Sequence, residues 1–428
     1  VEAGPDGPRA ARAPRHVVTL RGHADFRMLW AGNAVSQFGT RIGGVAAPLL
    51  AVGVLAATPF EVGLLNAAQT VGLLLIGLPA GAWVDRTRKR GLMVSMDLCR
   101  AALLVTIAVA SWAGVLTLAQ LLVVTLAVGV ATVFFDVAHL AYLPVLVGRD
   151  QLLEGNAKLQ TSQSVATTAG PALGGWAVGV LGAANTMLAT SAGFLVSAFQ
   201  LNRITSVEPA PDRPATRDLV GEIGEGLRLV FGVPTLRAIA CCTATANLFL
   251  TFLITLNVLF LNRELGLSTA TTGLVLAASG VGGFLGGITG RALVSRVGRA
   301  RSSWLSLLLT QPFALLLPLT APGWRVGLFV VGWFVVGFGS TVYNIAQVTF
   351  RQAVCPDRLL GRMNASNRVV VWGTMPLGGI TAGVVAEVAD ARTGLWVGAS
   401  GLALAVLWLL LSPLRTLRDV PAEGLPQI

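Results

Sequence analysis

Apolar runs of about twenty residues recur along this chain, parted by short polar segments, and no other feature limits its possible folds as strongly. A bilayer core of about 30 Å is crossed by roughly 20 apolar residues in helical form. By that measure, runs fall at 27–54, 62–84, 91–113, 116–139, 155–180 and 184–202, then at 237–261, 266–290, 302–322, 326–350, 366–388 and 393–414. Backbone amides in hydrocarbon have to find their hydrogen bonds within the protein, so each run is expected to be a helix. The pattern predicts an all-α membrane protein of twelve transmembrane helices. Composition agrees: only 12% of the 428 residues are charged, against about a quarter in a soluble domain.

A net charge of +11 would suit a nucleic-acid partner if it were spread over a polar domain, but here it is confined to the segments between apolar runs. About 26 of the 31 basic residues lie in the two tails and in alternate interhelical segments. Arg263, Arg325 and Arg392 lie on the other side. The positive-inside rule then makes both termini cytoplasmic. The expected setting is a multi-pass protein in a bacterial inner membrane, with lipid as solvent and no nucleic acid. Residues 1–25 hold no apolar stretch of leader type, so the first run is expected to be a membrane helix.

The predicted organisation is a basic cytoplasmic tail (1–25), a six-helix bundle (26–202), a cytoplasmic linker (203–236), a second six-helix bundle (237–416) and a short tail (417–428). The linker opens Pro-rich and then repeats Leu219, Ile223, Leu227 and Val230 at helical spacing, opposite Glu225 and Arg228. That is the pattern of an amphipathic helix at a membrane surface.

Several chemistries are excluded. Cys99, Cys241, Cys242 and Cys355 have no metal or disulfide spacing, and only His16, His23 and His139 offer imidazoles, so no metal site or cofactor is expected. No G-x-x-x-x-G-K-[ST] sequence occurs, so ATP hydrolysis is not expected either. The chain reads as a non-enzyme that uses an ion gradient.

The two halves are related in sequence. T-V-F-F-D-V-A-H-L-A-Y-L-P, followed by L-L-E-G-N-A to Ala157, matches T-V-Y-N-I-A-Q-V-T-F-R-Q, followed by L-L-G-R-M-N-A to Ala365, at an offset near 208. Pro171-Ala-Leu-Gly-Gly175 recurs as Pro376-Leu-Gly-Gly379. A duplicated six-helix unit puts a substrate site between two bundles that rock.

Within this frame the polar residues of the apolar runs become candidates. Asn33, Gln37 and Arg41 stand at i, i+4 and i+8 and form one stripe on the first helix. Arg41 falls near mid-membrane, where a guanidinium costs about 2.5 kcal/mol or more to insert. Two readings stand: it meets an anionic substrate, or it is a structural arginine satisfied by carbonyls or an acidic neighbour. Asn66, Gln69, Gln163, Asn247, Gln311, Tyr343 and Trp372 lie at similar depth and could line a cavity, each with the alternative of bonding between helices.

Gating candidates are Gly81, Asp85, Arg86 and Arg90 after the second helix, Asp97 and Arg100 on the third, Asp136 on the fourth, and Gly170, Pro171, Gly174 and Gly175 on the fifth. Asp85 could dock on the positive end of the eleventh helix, which starts near Ala365. Otherwise its loop carries topogenic charge alone. Asp97 and Arg100 read as an ion-pair cluster with the Arg86–Arg90 loop. Proline kinks a helix and small residues let a neighbour approach, so the Gly170–Gly175 segment can bend and pack tightly. No acidic residue stands at the membrane centre as an obvious proton carrier, which leaves Asp97 and Asp136 as candidates by elimination. Glu387 and Asp390 lie too near the outer end of their helix for that role.

The chain resembles the major facilitator superfamily, in the exporter branch that includes the enterobactin exporter and actinobacterial drug-efflux proteins. Three motifs over residues 26–414 carry the resemblance. G-A-W-V-D-R-T-R-K-R, from Gly81 to Arg90, is similar to the superfamily's G-x-x-x-D-R-x-G-R-R, with Arg88 where glycine is usual. Gly170-Pro171-Ala-Leu-Gly174-Gly175 resembles an antiporter motif, and 134–156 resembles a segment of this branch. The resemblance implies two pseudo-symmetric six-helix bundles and a monomeric proton-coupled exporter of a drug, siderophore or secondary metabolite. An importer or facilitator on the same fold, and a non-transporting membrane sensor or assembly partner, are the alternatives.

Overall fold

The computed structural model describes residues 20, 23–147, 151–206, 208, 219–355 and 357–419. Every expected run is helical. The first bundle holds α1 (Ala24–Gly53), α2 (Pro59–Asp85), α3 (Lys89–Trp112), α4 (Leu118–Val147), α5 (Leu152–Leu181) and α6 (Ala183–Asn202). After the linker helix α7 (Leu219–Gly232) come α8 (Pro234–Leu259), α9 (Thr269–Val297), α10 (Arg299–Thr310), α11 (Val326–Val354), α12 (Asp357–Val388), α13 (Ala391–Leu404) and α14 (Leu407–Leu410).

Seven of the described helical stretches are by length and composition able to cross a membrane, among them α3, α4, α9 and the stretch 391–410. The remaining expected runs, on α1, α2, α5, α6 and α10, are helical without meeting that measure. Two runs are broken. Pro312 removes a backbone donor, and the chain after α10 tightens into a 3-10 turn, Gln311–Leu316. Between α13 and α14 the helix lapses at 405–406. Beyond α8 the helix widens into a π turn, Phe260–Glu264.

Local chemistry sets the ends. Thr58 caps α2 by accepting from the Glu61 amide, while Glu61 returns the bond to the Thr58 amide and Pro59 opens the helix. Gly182, at φ 81°, closes α5 and opens α6 in a single residue, a reversal that other side chains resist.

The two bundles repeat one packing plan. In the first, α1 packs on α5 and α6, α2 on α4, and α3 on α4 and α6. In the second, α8 packs on α12 and α13, α9 on α11, and α10 on α11. Between bundles the main contacts are α5 with α9 and α2 with α12, again a symmetric pair.

α1 begins at one face of the molecule and α14 ends there. We call it the terminal face and its opposite the far face. At the far face the bundles share one apolar core, in which Leu49, Leu50, Val62 and Leu65 lie with Leu253, Leu256, Phe260 and Val275. Toward the terminal face, the described residues divide into two cores. Phe26, Leu29, Met93 and Tyr142 belong to one bundle, and Ile239, Phe350, Val354 and Met363 to the other. Among the described residues, the apolar core is therefore shared between the bundles at the far face and divided between them at the terminal face. The linker helix keeps the expected amphipathic sense where it is described, with Val230 buried and Glu225 and Arg228 exposed. The side chains of Leu219 and Ile223 lie outside the described residues, as do most of the two tails.

Candidate functional site

The polar stripe on α1 looks inward. Asn33 is buried, and Gln37 and Arg41 are half-buried. Arg41 lies about 26 Å along its helix at 1.5 Å per residue, close to mid-depth. What brings it there is glycine: a Cβ on Gly170 of α5 would collide with the Cβ of Arg41. Gly174 does the same for the next residue, since its Cβ would come within 3.2 Å of the Ile42 carbonyl oxygen.

The neighbouring Gly175 faces the other way, across the bundle interface, where a Cβ would stand 2.5 Å from Thr269 O and 2.7 Å from Gly273 Cα on α9. Pro171 contributes its carbonyl oxygen to that contact, 2.6 Å from where a Gly273 Cβ would sit. The motif thus seats α5 on α1 with one face and on the opposite bundle with the other. Its second copy behaves alike: Gly378 meets Leu248 and Thr251 on α8, and Gly379 meets Gly63 and Ala67 on α2.

The Arg41 guanidinium makes no ion pair within 4 Å among the described residues, and its buried Nε has no hydrogen-bond partner. Its acidic neighbour is Asp136 on α4, within electrostatic reach of both Arg41 and Arg100. Asp136 is exposed although it sits about 17 Å inside the terminal end of α4 at 1.5 Å per residue.

Asp97 and Arg100 are wholly buried and paired with each other. Arg100 also donates to Ser36 Oγ at 3.1 Å and Thr132 Oγ1 at 3.3 Å, and lies between the rings of Phe135 and Phe194, 4.5 and 4.3 Å from their centroids. One guanidinium therefore ties α1, α3, α4 and α6 together. No described contact links this pair to the Arg86–Arg90 loop.

That loop serves its own bundle. Arg86 is exposed, and Arg90 donates to the carbonyls of Ile204 and Asn202. Glu208 accepts from the amides of Lys89 and Arg90 at 2.7 and 3.2 Å, a carboxylate on the positive end of α3. Asp25 accepts from the amides and hydroxyls of Thr205 and Ser206. Burial alone would raise the Asp25 carboxyl, but these hydrogen bonds outweigh it and hold the group below its ordinary range. Gly81 and Asp85 lie in the last turns of α2, and their side chains are outside the described residues.

The second-bundle candidates divide. Tyr343 is buried and shares a 2.6 Å hydrogen bond with Thr243. Gln311, also buried, donates to Ser340, so it bonds the 3-10 turn after α10 to α11. Asn247 and Asn66 donate to carbonyls of their own helices. Gln69, Gln163 and Trp372 are half-buried on α2, α5 and α12.

Sequence reasoning missed Arg351. It is buried on α11, with Nε and Nη1 unpartnered, and it extends Tyr343 and Gln347 at i, i+4 and i+8, the spacing of the α1 stripe. That spacing was the available signal, hidden by Arg351's place near a helix end. Among the described residues, no group of three or more His, Cys, Asp or Glu could hold a metal.

Comparison with known proteins gives a consistent picture. Residues 19–425 match the family described as transmembrane secretion effector. The multidrug efflux pump Tap of Mycolicibacterium fortuitum is 29% identical over 364 residues, covering 82% of this chain and 87% of that protein. The enterobactin exporter EntS of Escherichia coli O127:H6 is 27% identical over 428 residues, covering 94% and 96%. Among solved structures, the nucleoside transporter NupG superposes with a TM-score of 0.73 at 13% identity, over 91% of this chain and 98% of that one. A bacterial homologue of the iron transporter ferroportin superposes with a TM-score of 0.74 at 15% identity, over 90% and 98%. These likenesses establish the fold.

Proposed function

The chain belongs to the transmembrane secretion effector family of the major facilitator superfamily, and from that membership we propose that it exports a small amphipathic or anionic molecule by alternating access, driven by proton antiport. It is a membrane transporter and not an enzyme; the direction, the cargo class and the coupling are the proposal. The observation that carries it is Arg41, a mid-depth cation held against Gly170 with no carboxylate paired to it among the described residues. A guanidinium at that depth needs an anion or water, and an anionic cargo supplies one. Arg351, buried near the terminal end of α11 with two unpartnered nitrogens, adds a second cation on the other bundle. The division of the apolar core at the terminal face supports a way in for such a cargo there, on the reading that this face is cytoplasmic.

Asp136 supports the antiport reading. It is exposed and within reach of Arg41, so a proton on Asp136 and an anion on Arg41 can alternate. Asp97 does not serve, because Arg100 already neutralises it in a dry site. The test uses everted vesicles with carboxyfluorescein as the anionic probe and ethidium as a cationic one. Gradient-dependent accumulation of the anion, lowered at least about tenfold by Arg41→Gln, which is about 1.4 kcal/mol of lost recognition, is the expected result. Equilibration that ignores the pH gradient would make the protein a facilitator, and undiminished accumulation by Arg41→Gln would remove Arg41 from the site.

A further inference from the structure

The first turn of α2 accounts for its backbone donors in an unusual way. An α-helix leaves its first amides without partners inside the helix. Here Pro59 has no N–H, and the Glu61 amide is taken by the Thr58 hydroxyl. The Phe60 amide is left over in this turn, and Glu387 of the opposite bundle takes it, Oε2 lying 3.3 Å from Phe60 N. Three residues earlier, the carbonyl of Ala57 accepts from Arg263 Nη2 at 2.7 Å, again from the opposite bundle. Arg263 stands in the π turn beyond α8, and Glu387 in the last turn of α12. One acid and one base of the second bundle thus hold the backbone of the α1–α2 loop, the acid on the positive end of a helix.

Below this clamp the backbones of α2 and α12 lie in contact. A Cβ on Gly63 would come within 2.5 Å of Gly379 O and 3.0 Å of Gly383 Cα. The two helices run antiparallel. Each therefore carries an acid at the end where the other begins: Glu387 on α12 at the far face, and Asp85 on α2 at the terminal face.

We propose that Glu387 and Arg263 form a far-face latch, which locks the α1–α2 loop while the terminal face is open and releases it when the far face opens. The inference rests on the alternating-access reading above. Both contacts go to backbone atoms, so the latch depends on helix position and on charge, and not on any particular side chain in the loop. The Glu387 bond is exposed and the Arg263 bond half-buried, so water can replace either when the bundles part.

The experiment measures spin–spin distances across the far face in protein reconstituted into lipid. The labels sit at Val115→Cys and Trp324→Cys, exposed loop positions of the first and second bundle away from the latch, in a background with the four native cysteines changed to serine. The parent should show a short and a long distance. Glu387→Ala should raise the long-distance population relative to the short by about two- to fivefold, the scale of a carboxylate on a helix end. Arg263→Ala should raise it by about tenfold or more, the scale of a lost hydrogen bond from a charged donor. The control is Glu264→Gln, whose partner among the described residues is Arg392 of its own bundle and which should leave the ratio unchanged.

Two distances in the parent with a ratio that neither latch variant moves would overturn the latch while leaving alternating access intact. A ratio moved equally by Glu264→Gln would overturn it too, as an effect of surface charge. A single distance in the parent under every gradient would overturn both readings.

Discussion

Removing one member of the Asp97–Arg100 pair should destabilise the first bundle far more than removing both. The two side chains are 0% and 1% exposed and neutralise each other. Breaking such a pair from one side typically costs about 3–5 kcal/mol, whereas replacing both by apolar groups of similar size is often neutral. The two single variants differ in how far they can relax. Left alone, Asp97 can take up a proton and shed its charge, but a guanidinium keeps its charge at any accessible pH. Asp97→Leu is therefore the cleaner single variant. Its cost should lie near the low end, about 3 kcal/mol, because Ser36, Thr132 and the faces of Phe135 and Phe194 still receive the cation. Asp97→Leu/Arg100→Met should return to within about 1–2 kcal/mol of the parent, the remainder being the two lost ring contacts. The assay is reversible unfolding in detergent micelles, read by tryptophan fluorescence, with transport measured on each variant that folds. The double variant should retain gradient-dependent export. Additive losses of stability would refute the pairing argument. A stable Asp97→Leu protein that exports without regard to pH would show that Asp97 carries the proton and does not merely anchor Arg100.

Two further outcomes follow from the geometry. Gly170→Val should cost folded yield and export together, since even a first carbon there overlaps the Arg41 stem, while valine at exposed Gly91, whose Cβ meets nothing, should be tolerated or should stabilise by about 0.3 kcal/mol, because valine is the better helix former; the comparison is read by size-exclusion yield and vesicle transport. The Asp25 strap should loosen in acid. Its carboxyl is held below the ordinary 3.8, so the stability it contributes is complete above that value and is lost as pH falls through the lower folded one. Limited proteolysis in the 203–208 segment should therefore accelerate below about pH 4, where the ordinary carboxylate titrates, and an Asp25→Asn protein should be cut at the same rate across that range.

The helices, their duplication and the membrane setting were legible in the residues because lipid leaves the backbone one local solution, so each apolar run settles its own secondary structure. The duplication was readable too: the pairs Gly174-Gly175 and Gly378-Gly379 recur shortly after a proline because each pair seats a helix on two neighbours. Which polar side chains meet was not legible. Asn33, Gln37 and Arg41 face inward as their spacing implied, but Gln311 turns to Ser340 and Asn66 to its own helix, because the rotation and crossing of each helix decide what lies within hydrogen-bonding reach of a side chain. Asp97 could be placed on α3 from sequence. That Phe194, Ser36 and Thr132 close around its arginine needs four helices at fixed angles. Glu387 was placed near a helix end by sequence, and it lies in the last turn of α12, but only the antiparallel docking of α12 on α2 sets it on the Phe60 amide. Local periodicity fixes what each segment is. The contacts between segments far apart in the chain, which decide what the protein can hold and when it opens, exist only once the bundles are packed.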